Sequence, residues 1–113
     1  MIKLSDYQAA INGSNHTPVL EPEEIRISGG YVSDMLSDVM GSAKPAQAWI
    51  TIMKHLNVVA VASMTGVSAI IFAKGNLPDA AVIEKAQAEG ICLLSSELDS
   101  FHLAGILYQM LHH

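Results

Sequence analysis

The stretch from Trp49 to Lys74, WITIMKHLNVVAVASMTGVSAIIFAK, limits the folds open to this chain more than any other. Between His55 and Ala73 it holds no Asp, Glu, Lys or Arg. On length alone that is a membrane-spanning candidate. Asn57, Ser63, Thr65, Gly66 and Ser68 interrupt it, however, and Thr65-Gly66 divides its apolar content into two runs. Two buried elements of a core account for it better. We expect strand, helix, strand: Ala48–Met53, Leu56–Met64 and Val67–Ala73. The middle piece, rich in Val and Ala, favours a strand by propensity. It is read as a helix because strands flank it on both sides and no hairpin turn separates it from either.

The flanking sequence extends the pattern. Leu4–Ile11 predicts a short helix capped by Ser5 and ended by Asn12-Gly13. A polar connection follows to Pro22, and Glu21, Glu23 and Glu24 read as a solvated turn. Ile25-Arg26-Ile27 predicts a strand ending in a turn at Ser28-Gly29-Gly30. Ser33 is placed as the cap of a helix with Met35, Leu36, Val39 and Met40 inward; Asp34 and Asp38 share its solvated face. Asp79 is expected to cap a helix ending at Glu89-Gly90. Ile91–Leu94 is a last strand, and Asp99 or Ser100 opens a helix with Leu103, Ile106, Leu107, Met110 and Leu111 on one face. Strands apolar throughout, alternating with helices, predict an α/β three-layer sandwich with a mostly parallel sheet of four to five strands. The chain of 113 residues is read as one domain, 1–113, with its core at about 25–110.

Composition narrows function by exclusion. Charged residues make up 15% of the chain and apolar residues 50%. So little charge leaves apolar surface uncovered, which a second copy of the chain would cover; a homodimer is expected. Net charge is −5 and the six basic residues are scattered, so no stripe exists to neutralise nucleic-acid phosphates. Cys92 is the one cysteine. It is read as a core residue in a reducing compartment, and the protein as cytoplasmic, without signal peptide or membrane span.

No phosphate-loop, dinucleotide, zinc-protease or nucleophile-elbow motif occurs, and the five histidines lack metal-ligand spacing. No cofactor or metal is expected, and His112 and His113 are given no role. In open α/β sheets, ligands bind beyond the carboxyl ends of the strands. The residues expected there are Gly29, Gly30, Lys54, His55, Asn57, Lys74 and Ser95. Exposed amides at the glycines, the Lys54 cation and a helix N-terminus at His55 and Asn57 together suit a small phosphate-bearing or nucleotide-like ligand.

Gly29-Gly30-Tyr31-Val32-Ser33-Asp34-Met35-Leu36-Ser37-Asp38-Val39-Met40-Gly41, Trp49-Ile50-Thr51 and His55-Leu56-Asn57 through Ser63 resemble the small stand-alone proteins of the DRTGG-domain family. Gly75–Asp79, Glu84-Lys85-Ala86 and Glu89-Gly90-Ile91 also fit that pattern. The resemblance implies a fold similar to the N-terminal domain of HPr kinase, without the kinase domain. It also implies a regulatory or ligand-sensing role and a tendency to dimerise. The Asp-Arg-Thr-Gly-Gly string itself is absent, and Lys54-His55-Leu56-Asn57 stands at the corresponding turn. A non-catalytic regulatory or ligand-binding domain is therefore the leading expectation. A structural protein–protein interaction module and a small enzyme using His55 as acid or base are the alternatives.

Overall fold

The computed structural model describes residues 1–112; His113 lies outside the described residues. The elements run β1 (Ile2–Lys3), α1 (Leu4–Ala10), β2 (Ser14–Asn15), a 3-10 turn (Pro22–Glu24), β3 (Arg26–Ile27) and β4 (Gly29–Val32). Then come α2 (Leu36–Ser42), β5 (Gln47–Thr51), α3 (Asn57–Thr65), β6 (Ala69–Phe72), α4 (Ala80–Glu89), β7 (Cys92–Ser95) and α5 (Ser100–Leu111). The main sheet has the order β2-β7-β6-β5-β4. Its strands β4 to β7 are mutually parallel, and β2 joins the edge antiparallel to β7. A separate antiparallel pair joins β1 to β3.

Side chains of a strand alternate between faces, and here both faces are covered. Ala48 and Ile50, Ala69 and Ile71, and Cys92 and Leu94 pack with Leu4, Tyr7, Ile11, Leu103 and Leu107, so α1 and α5 form one outer layer. Trp49, Ile70, Phe72 and Leu93 pack with Val39, Val58, Val59, Val82 and Ala86, so α2, α3 and α4 form the other. The result is the expected three-layer α/β sandwich, with five strands in the sheet. The two polar tips buried with the aromatic residues are satisfied. The Trp49 indole N–H donates to the Ser33 carbonyl at 2.9 Å, and the Tyr7 hydroxyl donates to the Leu103 carbonyl at 2.8 Å. Burial pushes the Tyr7 phenol above its ordinary pKa, and it also raises the Cys92 thiol, which lies in the core as expected.

The Val58–Ala62 run is helical despite its strand propensity. Val58, Val59, Val61 and Ala62 are all buried against the sheet, and Gly66 ends the helix in a left-handed conformation. Tertiary packing overrides a weak local preference. Asp79 and Asp99 cap α4 and α5 by accepting from Val82 N and His102 N.

Several local expectations are corrected. Gly29 and Gly30 are not a turn but the first half of β4, paired with Gln47 and Ala48. Glycine is needed at position 30 because a Cβ there would lie 2.6 Å from Leu107 Cδ2; the residue makes room for α5. The polar connection after Gly13 contains β2, held because Asn15 and Ser14 pair with Leu94 and Ser95. Neither Ser5 nor Ser33 caps a helix. The α1 helix begins at Leu4 as expected, but Lys3 stands at its cap position without a side-chain capping bond, and α2 begins only at Leu36, its cap residue Met35 making no side-chain capping bond. Asp34 therefore stands before α2 rather than on its face. Of the residues assigned inward on α2, Val39 is fully buried, whereas Met35 and Met40 are exposed.

Candidate functional site

The chain steps from β4 to β5 to β6 to β7, each strand beside the last, and α2, α3 and α4 all return on one face. Only after β7 does the chain cross to the other face, as α5. Consecutive connections thus part to opposite faces only at β6 and β7, where a ligand crevice would be sought in such a sheet.

That crevice is closed by the protein itself. Lys74 and Gly75 both have positive φ, 59° and 69°, and the tight turn is fastened by Asn76 N to the Ala73 carbonyl at 3.2 Å. Lys74 N donates to the Leu98 carbonyl at 2.8 Å and Gly75 N to the Ser96 carbonyl at 2.9 Å, so the two loops are laced together. The Glu97 carboxylate lies over Gly75, where a Cβ would come within 2.8 Å of Oε2. Ser95 is buried, and its hydroxyl is 2.7 Å from His16 Nε2. Loss of solvent lowers the His16 pKa. The Ser96 hydroxyl donates to the Ile11 carbonyl at 2.8 Å. Asp99 is held below the usual carboxylate range by the His102 amide and ring, with a weaker contribution from the Lys74 charge. A phosphate at this mouth would face Glu97 and Asp99.

The β5–α3 turn is built differently. Thr51 is fully buried at the end of β5, and its hydroxyl donates to Asp34 Oδ1 at 2.7 Å. The same carboxylate oxygen accepts from Ile52 N at 2.9 Å, and Met53 N donates to Thr51 Oγ1 at 3.1 Å. Beyond this anchor Lys54, His55, Leu56 and Asn57 are all exposed. Asn57 is the first residue of α3, not its cap, and the helix start has no side-chain cap. The Val58 and Val59 amides turn back to the His55 and Leu56 carbonyls at 3.0 and 3.1 Å, and the positive end of the helix dipole beside a lysine favours an anion.

Of the seven residues expected at one site, five stand at the carboxyl end of the sheet, on two differently built turns, and two stand at the other end. Lys54, His55 and Asn57 share the open turn. Lys74 and Ser95 belong to the laced crevice. Gly29 and Gly30 lie at the amino end of the sheet, the opposite end, lining an apolar cleft of 360 Å³ between β4 and α5 with Val32, Leu107 and Tyr108. The anchoring pair Asp34 and Thr51 and the covering Glu97 were not foreseen. A polar Thr ending an otherwise apolar strand was the available signal for the first. Among the described residues, no group of three or more His, Cys, Asp or Glu side chains is placed to hold a metal ion. None of the described helices is long and apolar enough to cross a membrane.

The architecture defines the chain as a DRTGG-like domain in fold. A solved structure that shares it contains the CBS and DRTGG domains of the regulatory region of Clostridium perfringens pyrophosphatase, complexed with an activator, diadenosine tetraphosphate. The TM-score is 0.72 at 16% sequence identity, and the match covers 95% of this chain and 46% of that one. This chain thus spans less than half of that structure. No family model and no curated protein matches the sequence.

Proposed function

We propose that the chain is a non-catalytic regulatory domain that binds a small phosphate-bearing, nucleotide-like ligand at the β5–α3 turn and works as a homodimer in the cytoplasm. The observation that carries the reading is the open turn: Lys54 and an uncapped α3 N-terminus, both solvent-facing, on a base fixed by Asp34 and Thr51. The fold it shares with a regulatory region complexed with a nucleotide activator supports the ligand class. The free, buried Cys92 suits a reducing compartment. His55 is exposed on the turn, whereas catalytic acids and bases are usually held in clefts.

A thermal-shift series with adenosine nucleotides, dinucleoside polyphosphates and inorganic phosphate tests the reading. A ligand at 100 times its Kd stabilises the fold by about 2.7 kcal/mol. Lys54→Ala is expected to weaken the responding ligand's shift without changing the ligand-free melt. A panel without any shift, or a shift indifferent to Lys54, sinks it. A second reading, an interaction module, draws on Phe101 and Tyr108 of α5, which are 80% and 66% exposed.

A further inference from the structure

The two edges of the main sheet are unlike. The β2 edge is two residues long, and Pro18 follows closely. Its exit is folded back on itself, the Thr17 amide and hydroxyl both donating to Asn15 Oδ1. Short edges and prolines are the usual guards against edge-to-edge pairing.

The β4 edge has no such guard. From Ser28 to Ser33 the sequence is SGGYVS, without a charged residue or proline, and β5 is the one strand of the sheet that flanks β4. Beside this edge runs the apolar cleft under α5, with Val32 49% exposed and Tyr108 66% exposed on its rim. The charges at the two ends of β4 differ in sign. Exposed Arg26 and Lys44 lie by its amino end, where the Lys44 amide is held by Gln47, the partner of Gly29. Exposed Asp38 lies by its carboxyl end, accepting from the Tyr31 hydroxyl, whereas the Asp34 carboxylate is turned inward to Thr51 and Ile52 of the β5 end.

We infer that two copies of this chain pair through antiparallel β4 strands, so that one sheet runs through both. The inference rests on the homodimer reading and locates its interface. The arrangement is self-complementary: a two-fold axis crossing β4 sets the Lys44 end of each copy against the Asp38 end of the other. Parallel pairing would set like against like. An uncharged strand meets itself without repulsion, while most of the remaining surface belongs to a chain of net charge −5. The same axis brings the two clefts together, so that Val32 and Tyr108 of each copy leave water.

Light scattering during gel filtration of the whole chain, run across a concentration series, tests this. The wild type is expected to be a dimer. Val32→Lys places like charges face to face at the seam and is expected to weaken dimerisation by at least about tenfold, with an unchanged far-ultraviolet dichroism spectrum. Lys44→Glu weakens it too, and Lys44→Glu with Asp38→Lys, which reverses both charges, restores it. Met64→Lys, at an exposed position of α3, leaves the dimer intact. A wild-type dimer indifferent to Val32→Lys and Lys44→Glu overturns the β4 interface while leaving the homodimer reading standing. A folded wild-type monomer at high micromolar concentration overturns both, including in favour of a strand from another protein.

Discussion

The turn after β5 and the turn after β6 have the same place in the fold, each leading from a buried parallel strand to a helix on the same face. They differ in what holds them. The β6 turn is stitched to the β7 loop through backbone groups, with two left-handed residues and a carboxylate lid. The β5 turn is fixed only at its root, by Asp34, and its Lys54–Asn57 tip makes a helix start open to solvent. A strand end beside a lysine is therefore not yet a ligand site; the loop that carries it must also be open to solvent.

The largest expected effect comes from breaking the closed turn. Gly75→Val forces a β-branched residue into positive φ beneath Glu97 and is expected to cost about 2–3 kcal/mol in a denaturant titration; an unchanged midpoint would show that the lacing is not structural. Next is Asp34→Ala, which removes a charged acceptor from the Ile52 amide and strands the buried Thr51 hydroxyl, with an expected loss of about 1–2 kcal/mol. If the melt is unaffected, the open turn has no fixed base. A smaller effect is expected from His16. Its folded pKa is lowered from 6.5 by burial, so the unfolded chain takes up the proton more readily. Its contribution is fully present above pH 6.5 and is lost as pH falls through the folded pKa. His16→Gln should flatten that part of the pH–stability curve, and an identical slope in the variant would exclude the ring as its source. Smallest is Lys54→Ala, which should leave ligand-free stability within about 0.5 kcal/mol; a larger loss would make Lys54 part of the scaffold.

Sequence patterning revealed the scaffold and only part of the site. The strand–helix–strand unit around Val58–Ala62, the Asp79 cap and the Leu103–Leu111 stripe are carried by local periodicity and capping chemistry, which sequence displays directly. The role of Gly29-Gly30 is not: whether a glycine pair turns the chain or admits a neighbouring helix depends on Leu107, far away in sequence. Ser95 is also decided at long range, by His16, which lies just past a strand that carries two residues and hence no pattern. Lys54, His55 and Asn57 share one turn because they are close neighbours in sequence. The backbone lacing that ties Lys74 to the loop after Ser95 is a matter of backbone geometry, which side-chain identity does not encode.

The division of the core into two clusters has a consequence for how the chain folds. The cluster under α2, α3 and α4 draws on residues between Val39 and Leu93, most of them close neighbours in sequence. The other needs Leu4 and Tyr7 to meet Leu103 and Leu107, and β2 to find β7, across nearly the whole chain. Contacts that close long loops form later than local ones. A chain emerging from the ribosome therefore carries α1 uncovered until its last helix is made. In pulse-labelled hydrogen exchange the amides of β5 and β6 should gain protection before those of α1, and the reverse order would refute this sequence of events.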